Sequence, residues 1–471
     1  MNIILWETTV INHGLPRTLG AHVIASHLRQ NGYSVKVISY CAYLSTEELI
    51  AITEKYIDDT TIAIGVSSTF WANSRIDKFD MDIRATTNTI AEPKWVIDAR
   101  LILESKYVKL DWVLGGPNSS YHESFFKFPW IKFQGYCEDE ILQYADTKFN
   151  RNSFSPFEPN LYIKTQHETD FIMPYEWLPM ELGRGCQFKC KFCAEPIIGK
   201  KKGTYIRDME CIRREIIDNY EKFGTTNYYF VDSTVNEDTD KIIALANLVQ
   251  KLPFKLNWVG FNRMDLIWSK PEQCSALKDS GLVSTYFGIE SFHPKASMAI
   301  GKGFMGRHGK DFLCKLRDTW GKGITYTLSF IAGLPHETLD DVQDTVSWLE
   351  QTQFDVYSTW TGLYLDPYDP SPNNKSDFTV NYGLYGYKFP NSNNPIYWEN
   401  KHWNYKTAYD FAKRPRPRVL GAFALGDVCG LGIDIQDVQH TVMTPTLAEE
   451  IQQKKKNHVN QYVQKSLEFK Y

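Results

Sequence analysis

The chain has 471 residues, of which 43% are hydrophobic and 23% charged, and 52 basic against 56 acidic side chains give a formal net charge of −4. This is ordinary globular composition, which excludes a disordered or fibrous chain, and at roughly 150 residues per domain the length suggests about three domains. It lacks the basic excess of a nucleic-acid-coating protein, so nucleic acid is not an expected partner.

The first six residues, Met1-Asn2-Ile3-Ile4-Leu5-Trp6, carry no basic region, and Glu7 ends the apolar run. They read as a buried strand rather than a signal peptide. No later apolar run reaches the roughly 18–20 residues of a membrane helix. A soluble cytoplasmic chain without a membrane partner is expected. Strands at Ile3–Trp6, Val35–Ser39, Ile62–Val66, Asp111–Leu114 and Ile131–Phe133 alternate with helical patterns such as Leu19–Gln30. Such alternation predicts a doubly wound, Rossmann-like parallel sheet over 1–150, with ligands beyond its C-terminal strand ends. Residues 151–178, with Asn152, Ser153, Ser155, Pro156 and Pro159, lack periodicity and read as a surface linker.

A second alternating region spans 179–365. Its strands are Pro179–Leu182, Asn227–Val231, Leu256–Gly260, Ser284–Ile289, Thr325–Ile331 and Val356–Leu365, with helices such as Asp208–Tyr220 and Leu339–Leu349 between them. Six βα units predict a partial (β/α)6 barrel of TIM type, with chemistry at the C-terminal strand ends. The remainder, 366–471, is a mixed region. Loops rich in Pro, Asn and Tyr precede helices at Tyr405–Arg414 and Leu447–Gln464. Its aromatics, with those of the last strand (Tyr357, Trp360, Tyr364, Tyr368, Tyr382, Tyr385, Trp398, Trp403), either cap a cleft or pack a core. The fold class is therefore α/β.

Three of the nine cysteines lie together in Gly183-Arg184-Gly185-Cys186-Gln187-Phe188-Lys189-Cys190-Lys191-Phe192-Cys193, on a loop directly after a predicted strand. Three thiolates so close can converge on a soft-metal centre. Structural zinc wants a fourth nearby ligand, and the next candidate, His167, lies well upstream. Three cysteines on a [4Fe–4S] cluster leave one iron open to a small molecule. The other six cysteines, Cys41, Cys137, Cys211, Cys274, Cys314 and Cys429, are scattered. Cys137 alone among them lies at a predicted ligand-facing strand end.

The Cys-x3-Cys-x-aromatic-Cys pattern after the first strand of a βα barrel resembles the radical S-adenosylmethionine (SAM) superfamily. The resemblance implies that Cys186, Cys190 and Cys193 hold a [4Fe–4S] cluster, with Phe192 as the aromatic. Its open iron would chelate SAM, and reductive cleavage would give a 5′-deoxyadenosyl radical. Four further stretches resemble the family's SAM-contacting motifs. Asp232 in Phe230-Val231-Asp232-Ser233 would lie near the methionine amine, unless it is a helix N-cap. Glu290 and Ser291 in Gly288-Ile289-Glu290-Ser291 would lie near the ribose, unless Glu290 is instead ion-paired to Arg263 or Lys302. Ile300-Gly301-Lys302-Gly303 follows. Gly333 and Glu337 belong to Gly333-Leu334-Pro335-His336-Glu337-Thr338, near adenine, where His336 replaces the family's second glycine.

The first region resembles the cobalamin-binding domain that precedes many radical SAM barrels. The resemblance implies cobalamin contacts from Arg17, Gly20, Ser67, Ser68, Gly115, Gly116 and Gly135. The His that ligates cobalt in better-known members is replaced by Arg17, three residues before Gly20, and His13 is a poor substitute. The resemblance therefore implies a cobalamin-dependent radical SAM enzyme, most simply a methyltransferase acting on carbon. Its substrate would be a small molecule or peptide, with an electron donor such as flavodoxin or ferredoxin as partner. The alternatives are radical cyclisation, rearrangement or oxidation without corrinoid, and a non-catalytic metal-binding protein.

Overall fold

The computed structural model describes residues 1–8, 15–69, 92–120, 123, 126–151, 155–160, 166–195, 197–352, 356–367, 375–390, 397–414 and 420–469. His13, Asn152, Ser153 and Tyr368 lie outside these residues.

The N-terminal sheet has five parallel strands, β1 (Asn2–Trp6), β2 (Ser34–Ile38), β3 (Thr61–Ser67), β4 (Asp111–Gly115) and β5 (Ile131–Lys132), in the order β2-β1-β3-β4-β5. Helices cover both faces, so every residue of β1 is buried, as a continuous apolar strand requires. The helix Thr46–Lys55 begins with a Ser45–Glu48 capping box. The strand order reverses between β1 and β3, where doubly wound sheets open a crevice.

The second sheet is β6 (Trp177–Met180), β7 (Asn227–Phe230), β8 (Asn257–Asn262), β9 (Leu282–Glu290), β10 (Thr325–Ala332) and β11 (Val356–Gly362). Each strand pairs in parallel with the next, and β6 does not pair with β11, so the barrel is open. Tyr228, Phe230, Trp258 and Phe287 face the helix layer, packed with Ile212, Ile216, Leu245 and Leu313. The helices have their own boundary signals. Asp208 caps Met209–Phe223, Gly224 closes it at φ 72°, and a Thr338–Asp341 capping box opens Leu339–Gln351.

Two sequence expectations need correction. The segment around 166–176 is not a surface linker. Gln166, Thr169, Asp170, Ile172, Met173 and Glu176 are all buried. It lacks periodicity because it is irregular chain wedged between the two sheets. Two of its acids are ion-paired, Glu176 to Arg17 and Asp170 to His22.

Nor is 366–471 one cap. Its first part packs at the upper end of the barrel, where Trp360, Trp398 and Trp403 are core residues. Its second part enters the barrel from below. The helix Ala422–Cys429 touches β6 to β10. Leu425 and Val428 pack with Trp177, Tyr229 and Val259, and Phe423 meets the rings of Tyr229, Phe261 and Tyr286. The chain then runs back as the helix Pro445–Glu468 onto the first domain, where Tyr462 and Val463 join Tyr40, Leu49 and Ile52.

Candidate functional site

The C-terminal edge of the first sheet opens into a cavity of about 660 Å³ at the strand-order reversal. This volume is in the range of small-molecule sites. Glycines form much of its wall: Gly20, Gly65, Gly115, Gly116 and Gly135. A Cβ added at Gly20, Gly115 or Gly135 would meet nothing within 4 Å, so the backbone there faces open space. Ser67 also lines the cavity, with Thr69, Tyr136, Cys137 and Glu138. A largely apolar, glycine-walled crevice at a switch point suits a flat macrocycle, and the corrinoid fits this lining. No histidine lines the cavity among the described residues. Burial pushes the Cys137 thiol up to about 12, with Glu138 and Glu140 adding to it, so Cys137 presents a neutral thiol.

Two of the sequence-implied cobalamin residues lie elsewhere. Ser68 is buried and donates to the carbonyl of Gly115 at 2.6 Å, bracing the wall from behind. Arg17 is buried and donates to both oxygens of Glu176, at 2.7 and 3.1 Å, and to Ser39 Oγ at 3.0 Å. A guanidinium needs such partners once it leaves water, so Arg17 joins the domains and does not reach the cavity.

The cavity is completed from the second domain. Ala194 and Glu195, which follow Cys193, form part of its lining. The cysteine loop itself follows β6, and Cys186, Cys190 and Cys193 are each partly exposed free thiols. Among the described residues no three His, Cys, Asp or Glu side chains are placed to hold one metal ion. Thiolates that ligate separate irons of a cluster need no such convergence. The three cysteines still lie within electrostatic reach. Burial raises the Cys193 thiol, Cys190, Glu195 and Cys186 add to the rise, and the Glu195 backbone opposes it. Cys186 Sγ is 3.5 Å from Thr234 Oγ1, and Arg263 Nη1 is 3.4 Å from Cys190 Sγ. Three soft donors with hydroxyl and guanidinium neighbours fit a [4Fe–4S] cluster.

The loop is held on both sides. Arg184 donates to Glu138 of the first domain at 2.6 Å and to Glu181 at 2.8 Å, and lies 4.4 Å from the centre of the Tyr136 ring. Lys200 donates to the carbonyl of Arg184 at 2.6 Å and pairs with Glu237 at 2.7 Å. Lys191 pairs with Asp377 at 3.3 Å, and Phe378 N donates to the Lys191 carbonyl. Phe192 packs against the barrel core, with Lys302 Nζ 5.4 Å from its ring centre.

The remaining SAM-motif residues divide. Asp232 neither caps a helix nor faces open space. It accepts from Leu182 N at 2.8 Å and from Lys241 Nζ at 3.2 Å, fully buried beneath the loop. Glu290 at the end of β9 pairs with Lys302 at 3.0 Å. Ser291 donates to Glu337 Oε1 at 2.6 Å, and Glu337 Oε2 is buried without a partner. Burial pushes the Glu337 carboxyl up to about 8. Gly333 (φ 101°) turns its carbonyl to Tyr387, and a Cβ there would strike the Trp398 ring at 2.5 Å. His336 stands at φ 69°, the left-handed conformation that explains why related loops carry glycine at this position. Arg263, which the sequence offers as a partner of Glu290, pairs instead with Asp265, and Thr234 and Glu195 belong to no motif. Only their places beside the cysteines or after a strand end could have marked them.

Residues 180–349 match the family described as the Radical SAM superfamily. That stretch covers the barrel from β6 to the helix Leu339–Gln351, so the barrel is similar to the radical SAM domain, a family that implies a [4Fe–4S] cluster and SAM. An uncharacterized methyltransferase of Pyrococcus horikoshii is 25% identical over 216 residues, 42% of this chain and 46% of that protein. A tRNA-2-methylthio-N(6)-dimethylallyladenosine synthase of Petrotoga mobilis is 27% identical over 236 residues, covering 47% and 48%. The chain spans about half the length of the curated relatives it matches. The radical SAM methyltransferase TsrM of Kitasatospora setae, solved with cobalamin and a [4Fe–4S] cluster, superposes with a TM-score of 0.58 at 14% identity, covering 99% of this chain and 98% of that one. The cobalamin-dependent radical enzyme OxsB, solved with aqua-cobalamin and SAM, gives a TM-score of 0.53 at 15% identity, covering 82% and 56%. These likenesses establish the fold: a Rossmann-like sheet followed by a radical SAM partial barrel. No described helix is long and apolar enough to cross a membrane.

Proposed function

We propose that this chain is a cobalamin-dependent radical SAM enzyme that activates a C–H bond and transfers a methyl group to carbon. The observation that carries this reading is the shared wall: Ala194 and Glu195, directly after the third cluster cysteine, line the glycine-walled cavity. A ligand held there lies against the cluster loop. When bound, a [4Fe–4S] cluster supplies the electron for reductive SAM cleavage, and a corrinoid supplies a carrier for the methyl group.

The chain's own residues hold and enclose these groups. Cys186, Cys190 and Cys193 are the cluster ligands. Gly20, Ser67, Gly115, Gly116 and Gly135 form the corrinoid wall. Phe192, Glu290, Ser291 and Glu337 stand at the barrel mouth, where Glu337, neutral at pH 7, is a hydrogen-bond donor for a polar ligand. Gly333 shapes the mouth from behind, and Asp232 fixes the loop's base rather than meeting SAM. The first domain's described cysteines are Cys41 and Cys137, both buried, too few for a second three-cysteine cluster. That favours methyl over methylthio transfer. The substrate is a small molecule or peptide, and a flavodoxin- or ferredoxin-type protein delivers the electron.

The radical half is tested by anaerobic reconstitution with iron and sulfide, followed by assay of 5′-deoxyadenosine under reductant. Cys186→Ala, Cys190→Ala and Cys193→Ala should each abolish the iron–sulfur absorption and SAM cleavage. Cleavage that persists in these variants refutes the cluster assignment. An active iron–sulfur protein without corrinoid would instead favour radical cyclisation, rearrangement or oxidation.

A further inference from the structure

Arg263 follows β8 and lies on the cysteine loop. Its Nη1 is 3.4 Å from Cys190 Sγ, and its Cζ is 3.8 Å from the centre of the Phe188 ring. Nε and Nη2 donate to the two oxygens of Asp265 at 3.0 and 2.6 Å. That bidentate fork fixes the guanidinium plane and leaves Nη1 as the edge directed at sulfur. The backbone is clamped as well. Asn236 Oδ1 accepts from Arg263 N at 2.7 Å, while Asn236 Nδ2 donates to the Arg263 carbonyl at 3.0 Å and to Gln273 Oε1 at 2.9 Å. Asn236 is fully buried. A planar cation held at backbone, fork and face loses little further freedom when it donates to the sulfur.

We propose that Arg263 sets the reduction potential of the cluster through the Cys190 sulfur, with Asp265 as the counter-charge that limits the effect. This rests on the cluster reading above. Net charge and hydrogen bonds to the sulfurs are two of the levers that set such potentials. One-electron reduction, with the electron taken from an external donor, adds a negative charge to the cluster. A cationic N–H donor at a ligand sulfur stabilises the reduced form more than the oxidised one. Arg263 therefore eases the reduction that must precede SAM cleavage. It is a positioning residue, acting through Cys190 rather than on substrate.

The test is a potentiometric titration with dithionite, followed by EPR of the reduced cluster in the reconstituted full chain, without SAM. Iron and sulfide are assayed first, and wild-type chain that binds neither refutes the cluster reading itself. Given a loaded cluster, Arg263→Gln should move the midpoint to a more negative potential. Asp265→Asn leaves the cation in place without its counter-charge and should move it to a less negative one. Arg263→Lys should fall between wild type and Arg263→Gln. A merely structural role would not give shifts of opposite sign. Midpoints equal to wild type, shifts of one sign, or a difference that emerges only when SAM is added would each overturn the proposal. If Arg263→Gln does not load the cluster, Asp265→Asn decides alone, and a midpoint unchanged or more negative refutes it.

Discussion

Asp232 has its carboxylate committed to the Leu182 backbone N–H and the Lys241 ammonium, which also lies 3.5 Å from Glu237. Removing Asp232 leaves the buried Lys241 ammonium with Glu237 alone, so the loss is a part of the roughly 3–5 kcal/mol that breaking a buried pair outright costs. Asp232→Ala should therefore lower the thermal midpoint and the fraction of chain that takes up iron. SAM affinity of the loaded fraction should stay at the wild-type value. A weakened SAM affinity at normal iron content would return Asp232 to the SAM site. Two buried acids set the pH response. Burial pushes Glu337 up to about 8 and Asp427, which accepts from Tyr229 at 2.6 Å, up to about 7. Both folded-state values lie above the unfolded ones, so the folded chain holds protons that the unfolded chain releases. Their contribution is full in acid, is lost as pH rises from about 4 toward 7 and 8, and is flat beyond. Urea unfolding across pH 5–8 should show falling stability, and Glu337→Gln with Asp427→Asn should flatten that slope. The motif residues were legible because short motifs fix residue types. What each carboxylate touches was legible only for Glu290, whose pairing with Lys302 is one of the two the sequence offers, because Lys241 and Ser291 reach their partners only through the fold.

At the scale of elements, the strands were readable because parallel strands buried on both faces leave continuous apolar runs, as in Ile3–Trp6 and Thr325–Ile331. The helix Ala422–Cys429 was not. It is enclosed by strands, so its sequence is apolar without the polar stripe of a surface helix. Its fit depends on small residues. A Cβ at Gly426 would stand 2.8 Å from the Tyr229 ring, and one at Gly421 would stand 2.4 Å from Tyr357. Gly426→Val overpacks the barrel and should cost about 1–3 kcal/mol or more, read as a lower thermal midpoint. Gly115→Leu is the contrast. A Cβ there meets nothing within 4 Å and points the side chain into open space, so the fold should hold while corrinoid retention is lost. Retention at the wild-type level would remove the cavity from the corrinoid site.

Across the whole molecule, the division near 150 is a boundary of sheets rather than of cores. One apolar cluster runs from Trp6 and Ile64 through Trp177 and Val259 to Tyr462. Polar ties cross the same boundary: Arg17 to Glu176, and Arg184 to Glu138. Arg17→Ala strands the Glu176 carboxylate and should lower stability by about 3–5 kcal/mol, in one cooperative transition if the two domains unfold together. Strand–helix alternation and motif order announce a Rossmann-like sheet and a partial barrel in series. They could not announce that the cysteine loop of one closes the cavity of the other, because Ala194 and Glu195 carry no signal of their own. That closure is tested by the absorption spectrum of the chain reconstituted anaerobically with iron, sulfide and hydroxocobalamin, then desalted. Corrinoid bands retained together with the iron–sulfur absorption, and lost in Gly115→Leu, are the expected result. Iron–sulfur absorption with no retained corrinoid would contradict it.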